Sequence, residues 1–176
     1  LVRFVETMRG YRNSDGLLEN LPSWVFVEWS KANDYIRDVN YPVNMLWART
    51  LEAMASLSGD GSYASEAASL KRTIRAQSRN GMFFRDHAVR GKDGLKVCDD
   101  VSETCQYYAF FSGTATVETD AALWRLMVEK FGPRRDEAKV FPEVCRSNAF
   151  IGNYLRLELL SRESLGQTIF ADMREQ

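Results

Sequence analysis

Three clusters of polar and aromatic residues each stand just ahead of an apolar segment. The first is Trp24-Val25-Phe26-Val27-Glu28-Trp29, followed by Asn33 and Asp34. The second is Cys98-Asp99-Asp100-Val101-Ser102-Glu103, and the third is Pro142-Glu143-Val144-Cys145-Arg146-Ser147-Asn148. Indole faces stack on sugar rings, while carboxylates and amides bind hydroxyl groups. Cleavage of a glycosidic bond needs two carboxyl groups across it, one protonated and one ionised. If the three apolar segments run parallel, their entrances meet at one rim of Trp, Glu and Asp. That combination points to carbohydrate chemistry.

Each of these residues also has a plainer reading. Glu103 lies three positions after Asp100, the spacing of a helix capping box with Asp in place of Ser or Thr. Trp24, Phe26 and Trp29 read equally well as core packing. Glu28 is harder to set aside, because a carboxylate among apolar neighbours needs a partner or a wet cavity. In an extended chain, alternation puts Glu28 on the side of Trp24 and Phe26. Asn33 and Asp34 read as turn residues. Arg134 and Arg135, after Gly132-Pro133, read as solvated loop charges.

Other chemistries find less support. Cys98, Cys105 and Cys145 are an odd, sparse set with no short C-x2-C spacing, and His87 is the sole histidine. No metal or cofactor is therefore expected. His87 reads as structural or exposed. The thiols read as buried or half-buried, although Cys98 and Cys105 could bridge in an oxidising compartment. Asp99-Asp100 followed by Val-Ser-Glu matches the D-D-x-x-D diphosphate motif of terpene cyclases only imperfectly.

The elements that must position these residues are mostly helical. Asn40 is a good N-cap, Pro42 sits in a first turn, and an apolar run continues to Ser58-Gly59. Met45, Leu46, Ala48, Leu51, Met54, Ala55 and Leu57 cover more than one face, so this helix should be buried on most sides. Ser62 to Ser78 is one-sided, with Ala67, Leu70 and Ile74 opposed by Glu66, Lys71, Arg72 and Arg75. Met82-Phe83-Phe84 and Leu95-Lys96-Val97, around Lys92-Asp93-Gly94, predict one short β-hairpin. A second apolar helix should start near Asp100 and a third near Ser147, with an amphipathic helix from Thr119 between them. Leu165 to Gln176 reads as the start of another helix, and Leu1 to Gly10 as a short helix at the front. Alternation of buried and one-sided helices implies inner helices covered by outer ones.

Composition sets outer limits. The chain has 176 residues, 45% hydrophobic and 27% charged, enough apolar area to exclude a disordered chain. Its net charge of -1 offers no general attraction to phosphate backbones or anionic lipid, so neither nucleic acid nor membrane is an expected partner. No apolar run approaches the roughly 20 residues that span a bilayer.

The runs DGLLENLPSWVFVEWS, VNYPVNMLWARTLEAMASLSG and GMFFRD…SETCQYYAFFSG resemble the catalytic domain of bacterial α-L-rhamnosidases. In that family an aromatic W-x-F-x-D-W segment precedes an inner helix, and a G-x-F-x-D hairpin precedes another. Glu28 stands where the family usually has Asp. The resemblance covers about residues 10–113 and continues beyond them only in rhythm. It implies an (α/α)6 toroid with the site where the inner helices begin, and an inverting acid/base mechanism. It also implies sugar binding by Trp24, Glu28 and Trp29, and by Glu103 and Gln106. The family's motifs for the proton-transfer residues are not found here, so the catalytic acid and base are expected outside this chain. Twelve helices of roughly 12 residues need well over 200 residues. Residues 1–176 are therefore expected to form one partial domain, about half of such a toroid. The remainder of a parent chain, or self-association, would cover its exposed inner helices. The alternative is a non-catalytic helical module that binds carbohydrate or another partner. The compartment stays open, leaning to periplasmic or extracellular in a bacterium.

Overall fold

The computed structural model describes residues 1–133, 135, 139–148 and 150–175. Among them are seven α-helices: α1 (Val2–Arg9), α2 (Tyr41–Ser58), α3 (Gly61–Ser78), α4 (Glu103–Phe111), α5 (Ala121–Lys130), α6 (Ile151–Arg162) and α7 (Gly166–Arg174). A 3-10 turn spans Lys31–Tyr35. Among the described residues, no helix is long and apolar enough to cross a membrane.

α2 forms where the sequence predicts it. The Asn40 side chain accepts the Val43 N–H at 3.0 Å, and Gly59 ends the helix at φ 71°, which a residue without Cβ adopts freely. Tyr41, Met45, Trp47, Ala48, Leu51 and Met54 are buried on it. α3 starts from Asp60, which caps Ser62, and buries one stripe against α2: Tyr63, Ala67, Leu70 and Ile74. α4 is buried at every position from Glu103 to Phe110, and it packs between α2 and α6. α5 buries only Leu123 and Met127, and α7 lies against α6. Among the described residues, α2, α4 and α6 together supply 14 of the 34 buried hydrophobic residues, and the rest come from the other helices, the strands and the irregular segments.

The strands exceed the single predicted hairpin. β1 (Val39–Asn40), β4 (His87–Gly91) and β5 (Gly94–Val97) form a small antiparallel sheet in the order β1-β4-β5. β2 (Arg79–Asn80) pairs with β3 (Phe83–Phe84), and β6 (Val101–Ser102) pairs in parallel with β7 (Val144–Cys145). The turn at Lys92-Asp93 is as expected, but the partner of Leu95–Val97 is Ala88–Arg90. Phe83–Phe84 instead turns back on Arg79–Asn80, because Gly81 (φ 61°) allows a tight reversal there.

Two predicted helix starts move. α4 begins after Ser102, whose Oγ accepts the Cys105 N–H at 3.0 Å. The Asp100–Glu103 capping box does not form, because Val101 and Ser102 are extended and held in β6. α6 begins at Ile151, four residues beyond Ser147; Ala149 lies outside the described residues.

Candidate functional site

The entrances of α2, α4 and α6 meet. Asp86 is the joint between the first two. Its carbonyl accepts the Tyr41 N–H at 2.9 Å, and its carboxylate accepts both the N–H and the hydroxyl of Ser102 at 2.6 Å. Ser102 in turn caps α4 and pairs in register with Cys145 of β7. Tyr35, ending the 3-10 turn, places its hydroxyl 2.9 Å from the Cys145 thiol. Burial of Asp86, reinforced by the charges of Asp100 and Glu28 and opposed by the Ser102 bonds, pushes its pKa up to about 7.

Glu28 and Glu103 tie the same region to α6. Glu28 is 0% exposed. One carboxylate oxygen accepts the Ser30 hydroxyl at 2.7 Å and the Thr104 hydroxyl, and the other accepts the Gly152 N–H. Glu103 is 1% exposed and pairs with Arg135 at 2.5 Å. Its other oxygen accepts the Ser147 hydroxyl at 3.0 Å, the Ser147 N–H at 3.3 Å and the Tyr107 hydroxyl at 3.4 Å. The two carboxylates are therefore fixed at adjacent residues of the first turn of α4, Glu103 directly and Glu28 through Thr104. Both reach into the segment 147–152. Their acceptor oxygens are engaged by the protein itself, which suits them to hold a rim rather than to move protons.

The indoles behave differently. Trp24 is 70% exposed and Trp29 is 61% exposed, so neither is core packing. They lean on each other and on half-buried Phe26, with ring centroids 4.8–6.0 Å apart. The alternation expected for this stretch fails. Residues 24–29 are irregular, and Glu28 turns into the interior while Trp24 and Trp29 face out. Asn148 donates to the Trp29 carbonyl at 2.7 Å and also lines a cleft of about 240 Å³, together with Arg146, Ser147, Asn153 and Arg156. This cleft, bordered by the donor that holds Glu103 and tied to the Trp29 loop, is the candidate ligand site.

Gln106 lies in the interior. Its side-chain amide bonds both ways with the backbone of Phe84, each at 2.9 Å, and donates to the Ser102 carbonyl. Asn44 does the same for Leu18, accepting its N–H at 2.7 Å and donating to its carbonyl at 3.0 Å. These amides pin irregular chain to helices, so each replaces a strand partner. Asn44 was not singled out from the sequence; the signal was an amide on an otherwise apolar helix. Asp86 lies in the run GMFFRD and Ser147 in the third cluster, but their roles as joints rest on the distant partners Ser102 and Glu103, which nothing local discloses.

Arg135 overturns its expected place as a solvated charge. Besides Glu103, its guanidinium reaches the carbonyls of Phe141 and Val144 and lies over the Phe131 ring at 4.7 Å. Arg134 lies outside the described residues. His87 is buried, and all three cysteines are free thiols, with no bridge between Cys98 and Cys105.

No family model matches the sequence, and no curated protein matches it. Solved structures similar in fold include two rhamnosidases. One is a GH78 family rhamnosidase of Bacillus sp. GL1, with TM-score 0.77 and 18% identity over 97% of this chain and 17% of that one. The other is a rhamnosidase from Klebsiella oxytoca with rhamnose bound, with TM-score 0.67 and 14% identity over 97% of this chain and 30% of that one. The chain thus spans less than a third of either protein, and its backbone follows a part of the fold of those rhamnosidases.

Proposed function

We propose that the chain is a segment of a glycoside hydrolase catalytic domain that removes terminal α-L-rhamnosyl or related residues by an inverting acid/base mechanism. In this reading it forms about half of an (α/α)6 toroid, and the proton-transfer groups belong to the remainder of the domain. The observation that carries the reading is the exposed Trp24–Phe26–Trp29 cluster, tethered through Asn148 to a cleft beside the start of α6. The cleft is smaller than the roughly 300–1,000 Å³ typical of drug-sized ligands, as suits a single sugar ring. Trp24 and Trp29 supply stacking faces. Ser147, Asn148 and Asn153 supply hydroxyl and amide groups. Glu28, Glu103 and Gln106 act from below, fixing the loop and helix ends that carry those groups.

The full engagement of Glu28 and Glu103 also fits a second reading, a non-catalytic helical module that binds sugar. One experiment separates the two. The protein at its full encoded length is assayed on p-nitrophenyl α-L-rhamnoside, alongside a rhamnose-binding titration. Turnover that falls in Trp24→Ala and Trp29→Ala supports the hydrolase. Rhamnose binding without turnover supports the module. Neither binding nor turnover, or both unchanged in the Trp variants, removes the site proposed here.

A further inference from the structure

On and just beyond the small sheet, three donors of different chemistry face one another. Ala88 of β4 pairs with Val97 of β5, which brings His87 opposite Cys98, and the Cys98 N–H reaches the His87 carbonyl at 3.0 Å. Asp100 follows two residues after Cys98. His87 Nε2 lies 3.5 Å from Asp100 Oδ2, and one ligating atom from each of the three residues falls within 4.8 Å of the others. Among the described residues, none of the three shares a hydrogen bond with Trp24, Glu28 or Glu103.

We propose that His87, Cys98 and Asp100 bind a divalent transition-metal ion of the zinc class through one nitrogen, one sulfur and one oxygen. The donor set decides the class. Calcium and magnesium take oxygen ligands, whereas an imidazole and a thiolate beside one carboxylate suit zinc or its first-row neighbours. Metal–ligand bonds of about 2.0–2.3 Å place tetrahedral ligands about 3.3–3.8 Å apart, so only a small inward movement closes the site. The two outer ligands can make that movement, because Asp100 and Cys98 are only partly buried.

His87 is the fixed ligand. It is 5% exposed, and the Tyr35 ring packs against it with centroids 5.6 Å apart. Its Nδ1 makes no hydrogen bond of normal geometry, although the nearby Tyr35 backbone favours the charged ring. Burial is the larger effect and lowers the His87 pKa, which favours the neutral imidazole that a metal requires. Burial and the Asp100 charge raise the Cys98 pKa, so the metal-free thiol is protonated. Binding then forms an S–metal bond as the thiol proton leaves to solvent. Three protein ligands leave at least one coordination position for water or an incoming ligand. The site was invisible to a spacing rule, because hairpin pairing rather than a C-x2-C step brings the ligands together.

The test is cobalt substitution. The chelator-treated protein is titrated with cobalt(II), and one equivalent is expected to produce a thiolate-to-cobalt charge-transfer band. Cys98→Ser should abolish that band, while Cys105→Ser and Cys145→Ser retain it. Asp100→Asn, at a half-exposed position and with its fold checked by circular dichroism, should weaken zinc in a chelator competition. The loss should be no less than the roughly 10–100-fold typical of disturbing a zinc ligand's support. Absence of the band in the wild-type protein, its survival in Cys98→Ser, or unchanged zinc affinity in Asp100→Asn would overturn the assignment.

Discussion

The Glu28 carboxylate accepts the backbone N–H of Gly152, 124 positions further along the chain, at a point with no room for a side chain. A Cβ added at Gly152 would lie 2.3 Å from Ser147 Cβ and 2.5 Å from Glu28 Oε1. Both neighbours are themselves anchored, Ser147 to Glu103 and Glu28 to Ser30 and Thr104. Gly152→Ala should therefore cost about 1–3 kcal/mol from overpacking alone, and more if the bond to Glu28 is lost. A lower urea midpoint at unchanged slope would show it. An unshifted midpoint would mean that the start of α6 sits further from Glu28.

Glu28 itself should tolerate one change and not another. Two of its three donors are hydroxyls, and a hydroxyl can turn to accept instead. In Glu28→Gln the amide oxygen can keep the Gly152 N–H while the NH2 group donates to Ser30 and Thr104. The variant should stay within about 1.5 kcal/mol of wild type. Glu28→Ala leaves the Gly152 N–H buried without an acceptor and opens a cavity, a loss of about 3 kcal/mol or more. Thermal melts of the two variants should differ by several degrees. Equal melts would mean that the carboxylate contributes charge rather than shape and hydrogen bonds.

Asp86 makes stability depend on pH. Its folded pKa of about 7 lies above its ordinary value of 3.8, chiefly because burial disfavours the charge. The folded state therefore holds a proton that the unfolded chain gives up. The stabilisation is complete below about pH 4 and is lost as pH rises through about 7. Urea midpoints should fall between about pH 5 and about pH 8, and Asp86→Asn, which keeps the shape, should flatten that fall. An unchanged slope in Asp86→Asn would place the titration on another group.

What the sequence made legible divides along physical lines. Asn40, Pro42 and Gly59 mark α2 correctly because caps act within a few residues, and the apolar span of α4 shows its burial. Local rules fail where a distant partner decides. Asp100–Glu103 has the spacing of a capping box, but pairing of Val101–Ser102 with Val144–Cys145 keeps that stretch extended, so Ser102 becomes the cap. Arg135 reads as solvated because nothing nearby discloses Glu103, 32 positions before it. The three clusters named from composition do converge, yet the inward turn of Glu28 against its outward indole neighbours follows from contacts at Thr104 and Gly152. Alternation along 24–29 could not disclose those contacts.

Arg156 and Asp172 give the last prediction. The guanidinium Nε donates to the Asp172 carboxylate at 2.6 Å, and both groups are buried. The same guanidinium donates to the carbonyls of Met127 at 2.5 Å and Val128 at 3.2 Å, in the last turns of α5. It therefore serves as counter-ion to α7 and as donor to helix-end carbonyls that lack intrahelical partners. Asp172→Leu removes only the first function and strands a buried cation, which should cost about 3–5 kcal/mol. Arg156→Met strands the Asp172 carboxylate and both carbonyls, so it should cost at least as much. In the double variant Arg156→Met/Asp172→Leu the unpaired charges are gone, but the α5 carbonyls still lack their donor. Its loss should fall below the sum of the single losses by more than about 1 kcal/mol, without returning to wild type. Strict additivity in chemical denaturation would mean that the two side chains act independently, and that α7 is held to α6 by its apolar contacts alone.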